Sequence, residues 1–460
     1  MSVPSRPRID LGVPRSIHVV GAGGAGMSAI AAVLASMGHH VTGSDLKSSP
    51  SLERLRARGV EVAIGHRREN VATPDVLTYS TAVPDSNAEL DEARRKGIPV
   101  LSRSEMLQAI VALRRTIAIA GTHGKTTTSS MLSLVLVEAG LHPSFLIGGD
   151  VNEIGTNAIW DLGEWLVVEA DESDGTFLDI TPEIGVVTSV EPDHIEHYGS
   201  YDGLKEAFAA FLGQVGSAIV CADDPVAKAL APASATSYGC SPDADVRIVD
   251  VESGRSHLRF ELVGHPGSLG VFELPVPGVH NARNAAGAVS AALALGVDAE
   301  HARRALARFA GVARRFEFRG ELEGVTFVDD YAHLPGEVRV ALNAARDGNF
   351  GRIICVFQPH RYSRVAMLAE GFADAFLGAD LLVVTDIYPA GEKARPGVSG
   401  KLVVDAIQAA HPRSRTEYVP SHEDLVAFLR SNLRPGDLCL TLSAGDLTNL
   451  VAELGDPRSQ

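Results

Sequence analysis

Cysteine is scarce in this chain. Four occur in 460 residues, Cys221, Cys240, Cys355 and Cys439, scattered and without a C-x-x-C pair. That argues against a disulfide framework or a thiolate metal site and predicts reduced, mostly buried thiols. No apolar run reaches membrane-spanning length, and Met1–Ser16 is polar and proline-bearing where a secretory signal would be apolar. Basic residues are in deficit, 41 against 57 acidic, for a net charge of −16. The deficit argues against nucleic-acid and membrane partners and for a cytoplasmic chain. Phosphate substrates stay open, because a few local arginines and a helix N-terminus outweigh a distant average within a Debye length. Repeats of solenoid period and low-complexity tracts beyond alanine-rich helices are also missing.

What is present is an alternation of strand-like and helical runs, the pattern of parallel α/β domains, over a length that calls for about two to four of them. Three blocks are predicted, 1–115, 116–310 and 311–460. The first opens with a strand at 16–20, an alanine-rich helix to about Met37 and a strand at 40–42 that ends in Gly43-Ser-Asp45, with strands at 76–80 and 98–101 and a helix at 104–113 following. The second holds strands at 164–169 and 185–190, helices at 131–140, 203–212, 226–230, 281–295 and 299–309, and an antiparallel excursion over 247–277. The third has strands at 325–328, 352–357, 381–385 and 438–442.

Thr116-Ile-Ala-Ile-Ala-Gly-Thr-His-Gly-Lys-Thr-Thr-Thr128 joins a β-branched strand to a helix through two glycines. Such a junction aims backbone N–H groups and a helix N-terminus at one point, which suits an anion. Lys125 would reach the β- and γ-phosphates of a nucleoside triphosphate and the Thr126 hydroxyl would face Mg²⁺. Ile119 stands where the strict eight-residue pattern has its first glycine, so the loop is the tighter Gly121-x-x-Gly-Lys-Thr form. Gly21-x-Gly-x-x-Gly26, followed by Asp45, matches a dinucleotide fingerprint; by itself it favours NAD, but the geometry serves any nucleotide diphosphate or a purely structural turn. The strand ending at Glu169, with Asp171, Glu172 and Asp174 after it, offers Mg²⁺ oxygen ligands beside the loop, or else a solvated acidic turn. Asp193 and His194 follow another strand of the same block and read equally as metal partners or a loop pair. Asn281 and Asn284, one helical turn apart, would read an adenine edge, with helix capping the alternative for Asn281. Arg314-Arg315, Asp329-Asp330 with Tyr331 and His333, and Gln358-Pro-His-Arg361-Tyr-Ser-Arg364 form polar strand ends in the third block; two arginines three apart suit a carboxylate or phosphate.

Taken in order, these pieces resemble the Mur ligase family, and within it the alanine-adding branch, from about Ser16 to Leu447. The resemblance rests on Ile17-His-Val-Val-Gly-Ala-Gly-Gly-Ala-Gly-Met-Ser28, Gly43-Ser-Asp45, Gly121–Thr128, Glu169-Ala-Asp-Glu-Ser-Asp174, Glu191-Pro-Asp-His194, Gly278-Val-His-Asn281, Arg314-Arg-Phe316, Asp329-Asp-Tyr-Ala-His333 and Gln358-Pro-His-Arg-Tyr362. It implies three α/β domains: a Rossmann-like N-terminal domain for UDP-N-acetylmuramate, a central P-loop ATPase-type parallel sheet domain for ATP, and a C-terminal Rossmann-like domain for the amino acid. The implied reaction is ATP-dependent joining of L-alanine to the sugar's lactyl carboxylate, a step of peptidoglycan precursor synthesis, with ATP and Mg²⁺ required and the protein a monomer or weak homodimer.

By matching position, the resemblance assigns Gly23, Gly24, Gly26, Asp45, His66, Ser80 and Thr81 to the UDP-sugar. Gly121, Thr122, His123, Gly124, Lys125, Thr126, Thr127, Asn281, Asn284 and Arg315 go to ATP. Thr126, Glu169 and His194 go to the metal, and Arg361 and Arg364 to alanine. Lys125, His194 and His333 are the expected catalytic residues. Arg361 or Arg364 would hold alanine's carboxylate, and His333 is the candidate base for its amine, or else only positions it. The chain departs from the family pattern at Leu334 and Gly336 (usually His and Thr), at Ser189 (usually Asn) and at Ser443 (usually Gly), which bears on substrate fit. Phe208 lies near the place where sister ligases carry a carbamylated lysine. The rival readings are a ligase that re-attaches recovered peptide to the same sugar, an NAD oxidoreductase and a non-catalytic nucleotide binder.

Overall fold

A computed structural model describes residues 9–265, 267–348 and 350–455. The leading residues Met1–Arg8, read above as part of a polar segment, lie outside it. Three mostly parallel sheets follow one another along the chain, giving three α/β domains. The first contains β1 (Ser16–Val20), β2 (His40–Asp45), β3 (Glu61–Ile64), β4 (Val76–Tyr79) and β5 (Val100–Ser102) in the order β3-β2-β1-β4-β5, all parallel. Chain order reverses between β1 and β4, and in open α/β sheets the crevice at such a switch point, outside the strands' carboxyl ends, is where ligands bind. Ile17, Val19 and Val20 are fully buried. The helix Ala25–Ser36 packs with Ile17 and Val19 through Ala29, Ile30, Ala31, Val33 and Leu34, and its alanines permit close approach to the sheet.

The second sheet comprises β6 (Arg115–Ala120), β7 (Ser144–Val151), β8 (Thr156–Ile159), β9 (Trp165–Glu169), β10 (Ile184–Val187), β11 (Ser217–Cys221), β12 (Thr236–Gly239), β13 (Val246–Ser253), β14 (Leu258–Val263) and β15 (Ser268–Leu274). Their order is β15-β14-β13-β12-β11-β10-β6-β9-β7-β8, which puts β6 in the interior between β10 and β9. The excursion expected over 247–277 is three strands continuing one edge of this sheet. The antiparallel β7–β8 pair at the other edge has no clear sequence signal, because Gly148, Gly149 and the turn at 152–155 interrupt its alternation. The third sheet takes β16 (Glu317–Leu322), β17 (Val325–Asp330), β18 (Arg352–Gln358), β19 (Leu381–Val384), β20 (Thr416–Tyr418) and β21 (Asp437–Ser443) in the order β16-β17-β21-β18-β19-β20, with only β16 antiparallel.

By compactness the chain forms two units. One is 1–249, 261–272 and 283–309; the other is 250–260, 273–282 and 310–460. Within the second, Arg255 donates to the carbonyl of Gly348 at 2.8 Å and lies over the Phe350 ring, and Ser253 Oγ accepts the N–H of Gly278. The first two contacts tie the turn after β13 to the third domain, and the last ties the end of β13 to the segment ahead of the helix Val279–Ala294.

The first domain contains a fully buried carboxylate, Glu89. It accepts from Ser44 Oγ at 2.5 Å, Asn70 Nδ2 at 2.5 Å and the backbone N–H of Arg67 at 3.1 Å, and lies 3.6 Å from His18 Nε2 and 3.4 Å from His66 Nδ1. Burial opposes its ionisation, but His18 beside it and hydrogen bonds from Ser44 and Asn70 prevail and hold its carboxyl at about 2 against an ordinary 4.5. A carboxyl depressed in the folded state stabilises it above the unfolded value and loses that contribution as pH falls through the folded value. Glu89→Gln is expected to destabilise the protein by about 2–3 kcal/mol at pH 7, and the difference from wild type should close between pH 4.5 and about 2 in urea titrations.

Candidate active site

The chain leaves β6 at Ala120 through Gly121 and enters the helix Lys125–Glu138 at Lys125, six residues before the predicted start. The Lys-Thr-Thr-Thr run is weakly helix-favouring, so local propensity hides this turn, and tertiary bracing supplies it. Lys125 is therefore the first helical residue, and the N–H groups of Lys125, Thr126 and Thr127 have no acceptor within the helix. Gly121 has φ +133° and Gly124 φ +82°. A Cβ on Gly121 would collide with Thr188 Oγ1 and reach the Ser189 backbone nitrogen at 2.9 Å; one on Gly124 would collide with Asn284 Oδ1.

The brace is the segment after β10, which leaves the sheet at Val187 and not at the predicted 190. Thr122 N donates to Ser189 O at 2.9 Å, and His123 N donates to Ser189 Oγ at 3.0 Å. Thr188 Oγ1 donates to His123 O at 2.5 Å, and Glu191 N donates to Thr122 Oγ1 at 2.9 Å. Ser189, one of the departures from the family pattern, is thus a strut of the loop.

β9 pairs with β6 so that Glu169 lies opposite Ile119, at the mouth of the loop, where Glu169 Oε2 accepts the N–H of Gly148 at 2.8 Å. The acids after it separate. Asp171 and Asp174 turn to Arg103, at 3.7 and 3.2 Å. Glu172 is 1 % exposed and lies 2.9 and 2.8 Å from Lys125 Nζ through its two oxygens. Burial disfavours the ammonium, but Glu172, Asp171 and Glu169 outweigh it and raise the Lys125 pKa, so the lysine is a cation. The solvated-turn alternative fails at Glu172. Arg103 escaped the sequence reading; its guanidinium also bounds Gly26, where a Cβ would come within 3.0 Å of Nη1.

Of the expected metal ligands, Thr126, in the first turn of its helix, and Glu169 supply oxygen, the donor Mg²⁺ prefers, and Mg²⁺ keeps waters and phosphate oxygens for the rest. They fit the ion. His194 supplies a nitrogen, has φ +51°, and lies with its Nε2 3.3 Å from Asp193 Oδ2. Among the described residues no group of three or more His, Cys, Asp or Glu is placed to hold a metal ion. Asn284 reaches the loop, with Oδ1 3.4 Å from Thr128 Oγ1. Asn281 belongs to the other unit and donates its amide to Pro277 O at 2.7 Å; the helix begins at Val279, so Asn281 is not its N-cap. Arg315, also of that unit, lies over the Tyr331 ring and 3.9 Å from Glu337.

At the switch point of the first sheet, Gly23 N donates to Asp45 Oδ2 at 2.8 Å, and a Cβ on Gly23 would come within 2.9 Å of that oxygen. Gly24 meets no comparable obstacle. Ser80, half-buried, and Thr81, exposed, follow β4 across the crevice, and His66 Nδ1 lies 2.9 Å from Ser44 Oγ.

The third domain places strand ends side by side. After β17, His333 Nδ1 is 3.0 Å from the carbonyl of Tyr331, so Nδ1 carries the hydrogen and Nε2 the lone pair. Glu337 accepts the N–H groups of His333 and Leu334 and pins that turn. Burial, aided by Arg364 and Arg315 and opposed by Glu337, pushes the His333 pKa below 6.5. His360, in the Gln358–Tyr362 motif but absent from the predicted site, packs edge-on to His333 at 5.4 Å and stacks on Tyr388. Burial and the charges of His333, Arg364 and Arg361 lower its pKa to about 3. Arg364 Nη1 is 3.1 Å from His360 Nδ1, whereas Arg361 is exposed, with φ +67°. Ser443, another departure, donates to Gln358 Oε1 at 2.7 Å and ties β21 to β18.

Comparison with known proteins gives a consistent picture. Residues 16–115 match the Mur ligase family, catalytic domain; residues 119–292 match the Mur ligase middle domain; residues 314–445 match the Mur ligase, glutamate ligase domain. The UDP-N-acetylmuramate--L-alanine ligase of Rubrobacter xylanophilus is 47% identical over 448 residues, covering 95% of this chain and 99% of that protein. The protein of the same name from an Anaeromyxobacter species is 45% identical over 447 residues, covering 96% and 97%. The crystal structure of a UDP-N-acetylmuramate-alanine ligase from Thermotoga maritima superposes with a TM-score of 0.82 at 27% identity, covering 96% of this chain and 98% of that one.

The loop's dependence on its glycines is directly testable. Gly121→Ala should cost about 2–4 kcal/mol in urea unfolding, against about 1 kcal/mol for the control Gly140→Ala, where φ is +72° but the Cβ meets open space.

Proposed function

The chain belongs to the Mur ligase family, and we propose on that basis that it joins L-alanine to the lactyl carboxylate of UDP-N-acetylmuramate, cleaving ATP to ADP and phosphate, in peptidoglycan precursor synthesis. The observation that carries this reading is the meeting of a braced Gly-Lys-Thr loop and Glu169 at the carboxyl ends of two neighbouring strands, in a chain that matches alanine ligases over nearly its whole length.

A carboxylate is a poor acylating agent, so the reaction first needs phosphoryl transfer to it. Lys125, held cationic, would neutralise charge on the transferring group together with the N–H groups of the helix start. Thr126, Glu169 and His194 would hold Mg²⁺, which would supply positive charge against the repulsion between the triphosphate and the incoming carboxylate. Thr122, His123 and Thr127 would line the phosphates, and Asn281, Asn284 and Arg315 the nucleoside. Gly23, Gly24, Gly26, Asp45, His66, Ser80 and Thr81 would hold the UDP-sugar at the switch point of the first sheet. Arg361 and Arg364 would take alanine's carboxylate and aim its amine at the acyl phosphate. His333, neutral with its Nε2 lone pair available, would accept the amine's proton as phosphate leaves. The domain limits 1–115, 116–310 and 311–460, a cytoplasmic location and a monomer or weak homodimer belong to the same proposal. No helix among the described residues is long and apolar enough to cross a membrane.

Purified protein with UDP-N-acetylmuramate, ATP and Mg²⁺ should release phosphate when L-alanine is added and not when a tripeptide replaces it; the reverse preference would assign it to peptide re-attachment. Lys125→Ala should reduce turnover by a factor of about 10³ or more in protein that is still folded, with the melting temperature lowered because Glu172 loses its partner. Because His333 must be neutral to accept a proton and its pKa is lowered, activity should fall on the acid side with a midpoint below pH 6.5. His333→Gln should lower kcat by about 10²–10⁴ and abolish that acid limb in a pH–rate series.

A further inference from the structure

Glu172 is treated differently from the acids around it. Asp171 and Asp174 face an arginine, and Glu169 stands at a strand end, while Glu172 is buried with both oxygens on the Lys125 ammonium at 2.9 and 2.8 Å. An ammonium has three hydrogens to donate. One goes to Gly121 O at 2.6 Å and one to Glu172; Thr122 O, at 3.4 Å, is a loose third acceptor. The Tyr198 hydroxyl donates to the backbone carbonyl of Glu172 and anchors the acidic turn from its other side.

We propose that Glu172 is the positioning residue for Lys125, fixing the ammonium over the phosphate loop and competing with triphosphate oxygens for its donors, so that ATP is bound more weakly but aligned more productively than by an unrestrained lysine. The inference rests on Lys125 being the phosphate lysine of the proposed ligase. Its physical basis has two parts. Lysine side chains have large rotamer freedom, and a buried partner removes it before substrate arrives. A carboxylate on the same ammonium also repels an incoming polyanion, which lowers ground-state affinity without weakening contacts made only in the transition state. A purely structural ion pair would change stability and leave affinity and turnover moving together.

In the full-length protein, E172Q removes the carboxylate's charge and keeps its size beside Lys125, with the charges of Asp171 and Glu169 still acting on the ammonium. ATP binding measured by calorimetry, with no sugar nucleotide or alanine present, should tighten about three- to tenfold. In the same variant kcat should fall about tenfold or more. E172D, which restores the charge on a shorter arm, should return ATP affinity towards wild type while kcat stays low. Y198F keeps the pair's charge and releases the turn; should E172Q not fold, Y198F carries the test, with an expected severalfold drop in kcat and tighter ATP binding. Unchanged or weakened ATP binding with unchanged kcat, in E172Q or in Y198F if E172Q is unfolded, would overturn the proposal. If wild-type protein shows no alanine-dependent phosphate release, the ligase reading fails, and the calorimetric comparison still decides the competition between Glu172 and phosphate.

Discussion

The chemistry rests on how four residues, Gly121 to Gly124, are held between a strand and a helix. Each glycine occupies a backbone region that other residues avoid, and each lies where a side chain would strike Thr188 or Asn284. The conformation persists because the segment after β10 saturates it with hydrogen bonds from both backbone and hydroxyl groups. Removing such a brace would leave a left-handed turn with nothing to offset its cost. The helix start, and with it the direction of Lys125, follows from that brace.

Charge is distributed around this loop unevenly and to a purpose. Four acids lie close together from the end of β9 onward, yet their fates differ: one bonded to the backbone of Gly148, two facing Arg103, one buried against the lysine. Burying a carboxylate without a partner is expensive, so Glu172 and Lys125 depend on each other for their ionised forms. Glu89 in the first domain follows the same rule with hydrogen bonds in place of an ammonium. In the third domain burial works in the opposite sense, keeping His333 and His360 neutral beside arginines. A histidine and an arginine can then sit close together without the imidazole being protonated.

The departures from the family pattern look different once their neighbours are known. Ser189 reaches the loop backbone that it braces, and Ser443 bonds Gln358 across two strand ends. Leu334 is buried, and the turn it belongs to is held by Glu337, which serves both His333 and Leu334. No contact in the structure explains the glycine at position 336.

Residue order alone determined the class of fold, the strands β1, β2, β4, β6, β9, β17, β18, β19 and β21 in outline, and the glycine turn after β6, because each depends on local periodicity or on glycines at fixed spacing. It located Lys125, Glu169, His194, His333 and the arginines after β18 by motif. Tertiary structure decided which of those groups are buried, paired or neutral. It started the helix at Lys125 against weak local propensity, extended the central sheet by three strands at one edge and the β7–β8 pair at the other, and separated Glu172 from its neighbours. It also brought Arg103 and His360 into play, the first outside every motif and the second inside one read only for its arginines. The division has a physical cause: backbone preference is written over a few adjacent residues, whereas desolvation and charge pairing depend on what distant segments deliver to the same place.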